Sequence, residues 1–71
     1  MDDLMFSKRL KALRTEKGYS QEQMSALLNI SRSRLSMYEQ GKREPCFSIL
    51  IDIADFFNVS IDYLLGRTNT K

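Results

Sequence analysis

Residues 20–45 read SQEQMSALLNISRSRLSMYEQGKREP. It opens with a capping box, because Ser20 suits the N-cap of a helix and Gln23 can reach back to the backbone N–H of Ser20. The helix that follows would bury three apolar side chains at helical spacing: Met24, Leu27 and Leu28. We therefore predict a helix from about residue 20 to residue 28.

A sharp turn and a second helix come next. Asn29 tolerates the left-handed conformation that ends a helix, Ile30 can plug the core, and Ser31 is a good N-cap residue. The next helix is predicted from about residue 32 to residue 40, with Gly41 ending it. Two helices joined by three residues form a helix-turn-helix arrangement.

The helix at 32–40 is polar over most of its circumference. At about 100° per residue, Leu35 and Tyr38 fall on one narrow arc, which must face the core. The opposite side carries Ser33, Ser36, Met37 and Gln40. Such a helix is often simply solvated, but Arg, Ser, Gln and Met are side chains that suit base edges and phosphates. The polar face therefore indicates a nucleic-acid partner.

The rest of the chain completes an all-α fold. Helices are predicted at about 4–16 and 47–57, and a short fifth helix begins after Ser60 and ends at Gly66. Three phenylalanines of this part are expected in the core: Phe47, Phe56 and Phe57. We predict one compact five-helix domain over residues 1–66, followed by a flexible C-terminal tail at 67–71.

Composition excludes several classes of protein. The 71 residues carry a net charge of +2, but residues 32–43 hold four cations and one carboxylate (net +3), and residues 45–66 hold three aspartates and no cation (net −3). One basic region favours an anionic partner such as DNA.

A single cysteine, Cys46, and the lack of histidine exclude an internal disulfide and a Cys/His metal site. The chain has no membrane-length apolar run and no basic signal segment at its start, so we expect a cytoplasmic location.

The same stretch, followed by ILIDIADFFNVSIDYLLG at residues 49–66, resembles the phage-repressor and Cro-type helix-turn-helix domains, the XRE family. The resemblance covers about residues 4–66 and implies a lambda-repressor-like fold with the helix-turn-helix at helices 2 and 3. Three residues depart from the usual pattern: Ser25 replaces Ala, Asn29 replaces Gly, and Cys46 replaces a Ser cap. None of them is incompatible with the fold.

The resemblance also implies roles for individual residues. The positions that match base-reading residues of the family are Arg32, Ser33, Ser36 and Met37. Those that match DNA-backbone contacts are Gln21, Arg34, Gln40, Lys42 and Arg43. Arg14 and Glu39 match a partly buried ion pair between helices 1 and 3, and the helical wheel independently places Glu39 near the core.

Helix 4 has more apolar residues than one buried stripe requires. Ile49 and Phe56, seven residues apart, occupy positions that are usually polar or small in the family, and with Tyr63 they could form an exposed patch. We assign this patch to a homodimer interface. The alternative, that the three residues cap the small core, is equally compatible with the sequence. Cys46 is expected to be a small buried residue.

The function predicted from these features is sequence-specific binding of double-stranded DNA by a bacterial or phage transcriptional regulator. It would act as a repressor, binding a palindromic operator as a dimer through the major groove, in the cytoplasm at the nucleoid. The alternative is an antitoxin-like or anti-regulator module that binds a protein through its helix 4–5 surface. No catalytic constellation is present, so we predict no enzyme activity, no cofactor and no small-molecule ligand.

Overall fold

The computed structural model describes residues 3–71, with side chains from Met5 onward. Within these residues the chain forms five α-helices and no β-strand. Their bounds are α1 Asp3–Glu16, α2 Gln21–Leu28, α3 Arg32–Gln40, α4 Phe47–Phe57 and α5 Ile61–Leu64. The predicted all-α class and the five helices are confirmed, while the proposed start of the domain at residue 1 lies outside the described residues.

Local signals in the sequence set the helix boundaries. Ser20 and Gln23 form both hydrogen bonds of the capping box before α2. Asn29 ends α2 in the left-handed conformation, with φ of 58°, and Gly41 ends α3 with φ of 74°. Ser31 caps α3 by accepting a hydrogen bond from the backbone N–H of Arg34. The three-residue turn between α2 and α3 is therefore built as predicted.

One hydrophobic core holds the helices together. Helix α3 packs against both α1 and α2, while α5 packs against α1 and α4. All five helices contribute buried apolar side chains: Phe6, Leu10, Leu13, Met24, Leu35, Tyr38, Leu50, Ile53, Ala54, Phe57 and Leu64. The core thus forms around the inner edge of α3, and this burial determines which side chains of α3 face outward.

The apolar stripe predicted for α2 is wrong at one residue. Leu27 is 58% exposed, whereas Ser25 is buried beside Met24. Met24, Ser25 and Leu28 share one side of the helix, and Leu27 points away from its centre. Ser25 tolerates burial because its hydroxyl donates a hydrogen bond to the backbone oxygen of Glu22 at 3.0 Å.

Two further expectations fail at the start of α4. Phe47 was expected in the core but is 85% exposed, because it occupies the first helical residue, one turn before Leu50 enters the core. Cys46 was expected to be buried but is exposed, and it serves as the N-cap without a side-chain capping hydrogen bond. Two hydrogen bonds lower the pKa of the Cys46 thiol. The larger effect comes from the side chain of Ser48 and the smaller from the backbone of Ile49.

The C-terminal residues contact the domain. The guanidinium group of Arg9 donates hydrogen bonds to the backbone oxygens of Tyr63 and Thr68 and to the side-chain oxygen of Asn69. The same group lies over the Tyr63 ring, 4.1 Å from its centroid. These contacts were not predicted from the sequence, and the flexibility of residues 67–71 stays a prediction.

Candidate nucleic-acid interface

Helix α3 presents a polar face because only its inner edge is buried. Leu35 and Tyr38 are almost completely inaccessible to solvent. Arg32 and Ser33 are exposed in the first turn, and Met37 is 39% exposed one turn later. The arrangement that the helical wheel predicted for these five side chains is therefore present in the structure.

Two other predicted contact residues lie on the same helix and bind each other. The Gln40 side-chain amide donates a hydrogen bond to the Ser36 hydroxyl at 2.7 Å. Ser36 is half-buried and Gln40 is exposed. Because a hydroxyl and an amide retain further donor and acceptor capacity, this pair can still bond to a nucleotide.

Basic side chains lie at both ends of α3. Arg34 is half-buried on the flank of the helix, while Lys42 and Arg43 are exposed in the loop that follows Gly41. The left-handed Gly41 lets the chain reverse direction, and the backbone N–H of Lys42 bonds to the carbonyl oxygen of Met37 at 2.9 Å. The loop that carries these two cations is thereby held against the end of α3.

A buried polar network fixes α3 against the rest of the domain. The Arg14 guanidinium donates two hydrogen bonds to the Glu39 carboxylate, at 2.7 and 3.1 Å, and a third to the Tyr19 carbonyl oxygen at 2.8 Å. The side chains of Arg14 and Glu39 are only 11% and 3% exposed. The ion pair expected from the sequence is thus present, and it joins α1 to α3.

Gln21 belongs to this network. Its side-chain amide donates to the Glu39 carboxylate at 3.1 Å, so the side chain points into the domain. The resemblance implies a phosphate contact for Gln21; one amide N–H is used inside the protein, and the DNA contact stays a prediction. The backbone N–H at this first residue of α2 remains available for an anion, since helix N-termini leave such groups without intrahelical partners.

The three residues expected to form an exposed patch are all half-buried. Phe56 packs against Tyr19 and Phe57, with ring centroids 5.6 and 5.0 Å away. Tyr63 lies beneath Arg9, and Ile49 packs against the core. An exposed patch of Ile49, Phe56 and Tyr63 is therefore absent from the described structure, and their role in a homodimer stays a prediction.

Sequence reasoning missed two polar side chains that position α1. The buried Ser7 hydroxyl donates a hydrogen bond to the Tyr38 carbonyl oxygen at 2.7 Å, near the end of α3. Arg9 binds the C-terminal residues as described above. The position of Ser7 beside Phe6 on the apolar side of α1 could have indicated that it is buried. No such signal exists for Arg9, because its partner lies more than fifty residues away in the sequence.

A family model described as helix-turn-helix matches residues 10–64 of the chain. The match includes α2, the turn and α3, together with the core residues of α4 and α5. The chain belongs to the XRE-type helix-turn-helix family.

Two relatives and one solved structure illustrate the membership. The prophage-derived HTH-type transcriptional regulator YonR of Bacillus subtilis is 43% identical over 67 residues, covering 94% of this chain and 62% of YonR. The HTH-type regulator YazB of the same organism is 41% identical over 64 residues, covering 90% of this chain and 93% of YazB. The crystal structure of the restriction-modification controller protein C.AhdI from Aeromonas hydrophila shares 32% identity with a TM-score of 0.79, covering 89% of this chain and 96% of C.AhdI.

Membership in the XRE-type family bears on the prediction that the chain has no enzyme activity. These relatives are named as transcriptional regulators or controller proteins and not as enzymes, which confirms the prediction that the chain is not an enzyme. The chain spans only 50–62% of the length of three of the relatives it matches.

No helix among residues 3–71 is long and apolar enough to cross a membrane.

Proposed function

We propose that this chain is a sequence-specific DNA-binding transcriptional regulator that binds a palindromic operator as a homodimer and represses transcription. The observation that carries the proposal is the pose of α3, which is held through Leu35 and Tyr38 while Arg32, Ser33 and Met37 project outward. An α-helix fits the major groove of B-DNA, where base pairs are distinguishable by their edges.

Each outward side chain of α3 offers a different kind of base contact. The Arg32 guanidinium can donate two parallel hydrogen bonds to the O6 and N7 atoms of guanine. Ser33 and Ser36 can bond to several bases, and the Met37 side chain can pack on a thymine methyl group. Because Arg32 is the first residue of α3, it lies at the end of the helix that enters the groove first.

Phosphate contacts would set the register of α3 on the duplex. We assign them to the residues around its two ends: Gln21, Arg34, Gln40, Lys42 and Arg43. Gln21 would contribute through its backbone N–H, since its side-chain amide binds Glu39. These contacts would supply most of the affinity, whereas the base contacts would select the sequence.

A single α3 carries few base-reading side chains, which is the physical reason for proposing a dimer. Two copies related by a twofold axis would place their recognition helices about 34 Å apart, in successive major grooves on one side of the duplex. Bound across a promoter, such a dimer would exclude the transcription machinery. The proposed site of action is the cytoplasm, where the DNA lies.

Selection of bound sequences from random duplexes tests the function. We expect enrichment of a palindrome whose half-sites are centred about one helical turn apart. An enriched sequence without twofold symmetry would contradict the dimer, and no enrichment over the input would contradict sequence-specific recognition. Placing the selected site across a reporter promoter then tests repression, because activation of the reporter would contradict the proposal that the protein represses transcription.

Substitution of Lys42 tests the phosphate contacts. Lys42→Ala should weaken binding to every DNA sequence and lower the slope of log K against log salt by about one unit per monomer. The matched control is Lys11→Ala, which removes the same charge from an exposed position on α1. Titrations at several salt concentrations measure both slopes, and an unchanged slope in Lys42→Ala would remove this residue from the interface.

A further inference from the structure

A groove of about 320 Å³ lies between α2 and α4. Five residues line it: Leu27, Leu28, Asp52, Asp55 and Phe56. Leu28 and Phe56 are half-buried and form its apolar floor, while Leu27 is 58% exposed at its edge. Leu27 therefore offers an apolar side chain to a partner at the edge of the groove.

The groove is also acidic. Asp52 and Asp55 are exposed and lie one helical turn apart on α4. Within the part of the chain that the structure describes, no cation pairs with either carboxylate. The groove therefore combines an apolar floor with two uncompensated negative charges.

We infer that this groove is a docking site for a basic amphipathic helix of a partner protein. An apolar side chain of that helix would insert beside Leu27 and Phe56, and two lysines or arginines one turn apart would meet Asp52 and Asp55. Side chains at positions i and i+3 of a helix lie about 5–6 Å apart, and Asp52 and Asp55 stand in the same i, i+3 relation on α4. Such a contact is a helix-in-groove interaction.

Charge distinguishes this occupant from two others. Nucleic acid is repelled by the aspartates and attracted to the cations around α3 and its following loop. A second copy of this chain whose twofold axis passed through the groove would bring Asp52 and Asp55 close to their own symmetry mates without an intervening cation. A separate polypeptide with basic and apolar side chains has neither disadvantage. The inference does not depend on the proposed DNA binding, but it competes with the predicted homodimer contact for Phe56.

The test uses the full 71-residue chain and a pair of synthetic helical peptides. The basic peptide carries leucines on one face with lysines one turn apart beside them, and the acidic peptide has glutamate at each lysine position. Fluorescence anisotropy should show saturable binding of the basic peptide and weaker binding of the acidic one. Equal binding of the two, or no binding of the basic peptide at about 1 mM, would overturn the inference.

Variants locate the contact. Leu27→Ala should weaken binding of the basic peptide about 5- to 30-fold, because a buried leucine side chain is lost from the contact. The double substitution Asp52→Asn with Asp55→Asn should weaken it about 2- to 30-fold at low salt. Asp62→Asn removes one exposed carboxylate, the partner of Arg67, from α5 and should leave binding unchanged. Equal effects of the aspartate substitutions on α4 and α5 would mean non-specific attraction and would overturn the site.

Amide chemical-shift mapping distinguishes a partner helix in the groove from a second copy of this chain. The basic peptide should shift the resonances of the five lining residues, and thermal unfolding should show that each variant is folded. Shifts confined to another surface would overturn the site. Shifts of the same residues on raising the protein concentration, without peptide, would assign the groove to a second copy and overturn the proposed occupant.

Discussion

Replacing Glu39 with alanine should lower the free energy of unfolding by about 3–5 kcal/mol, because the Arg14 guanidinium would stay buried without its counter-ion. The substitution also removes the acceptor for the Gln21 amide. Small domains are stable by only about 0.05–0.15 kcal/mol per residue, so this loss is a large part of the total. Urea titration followed by circular dichroism measures the change, and the midpoint of thermal unfolding should fall by more than about 10 °C.

The chain provides a matched control for this prediction. Glu16 forms an exposed ion pair with Lys71 at 3.6 Å, and both side chains are at least half exposed. Glu16→Ala should cost no more than about 1 kcal/mol, because water screens the pair and replaces it readily. Similar losses in Glu16→Ala and Glu39→Ala would contradict a special role for the buried pair. Any loss of DNA binding in Glu39→Ala should be interpreted only at a temperature where the variant is folded.

Arg32→Ala should weaken binding to the selected operator by about 1–3 kcal/mol for each half-site, which is roughly 5- to 150-fold, and relax the preference at one base pair. The substitution should leave stability unchanged, because Arg32 is exposed at the first residue of α3. Titration of the operator and of variants changed at single base pairs measures both effects. A uniform loss on every sequence would instead identify Arg32 as a phosphate ligand.

Arg67→Ala is the control for the removed charge. Arg67 is exposed beyond α5, and its partner Asp62 is exposed as well, at 3.7 Å. This variant should bind the operator with the same base preference as the parent protein. If it relaxes that preference as much as Arg32→Ala does, then net charge and not a base contact explains the result.

The helices were predictable because their ends depend on neighbouring residues. The capping box at Ser20 and the left-handed Asn29 and Gly41 are short-range features, and the structure has them where the sequence predicts them. Leu27 and Phe47 were misplaced because apolar character alone does not say which apolar side chains reach the core. Ser25 is buried in place of the more apolar Leu27, so the side of α2 that faces the core is set by packing against the other helices and not by apolar character alone.

The candidate interface was predictable to the extent that it depends on one helix. The outward direction of Arg32, Ser33 and Met37 follows from the burial of Leu35 and Tyr38 on the other side of α3. The inward direction of Gln21 was not predictable, because it is set by a carboxylate on another helix. The contacts of Arg9 were missed for the same reason.

The way in which α3 is fastened has a consequence for the evolution of binding preference. Its attachment to the domain depends on Leu35, Tyr38 and Glu39, and its outermost side chains contribute little to that attachment. In the proposed mode of DNA binding, substitutions that exchange one target sequence for another can therefore accumulate on the outer surface of α3 with little loss of folding stability. A lineage of such domains is free to diversify its binding sites while its scaffold stays the same.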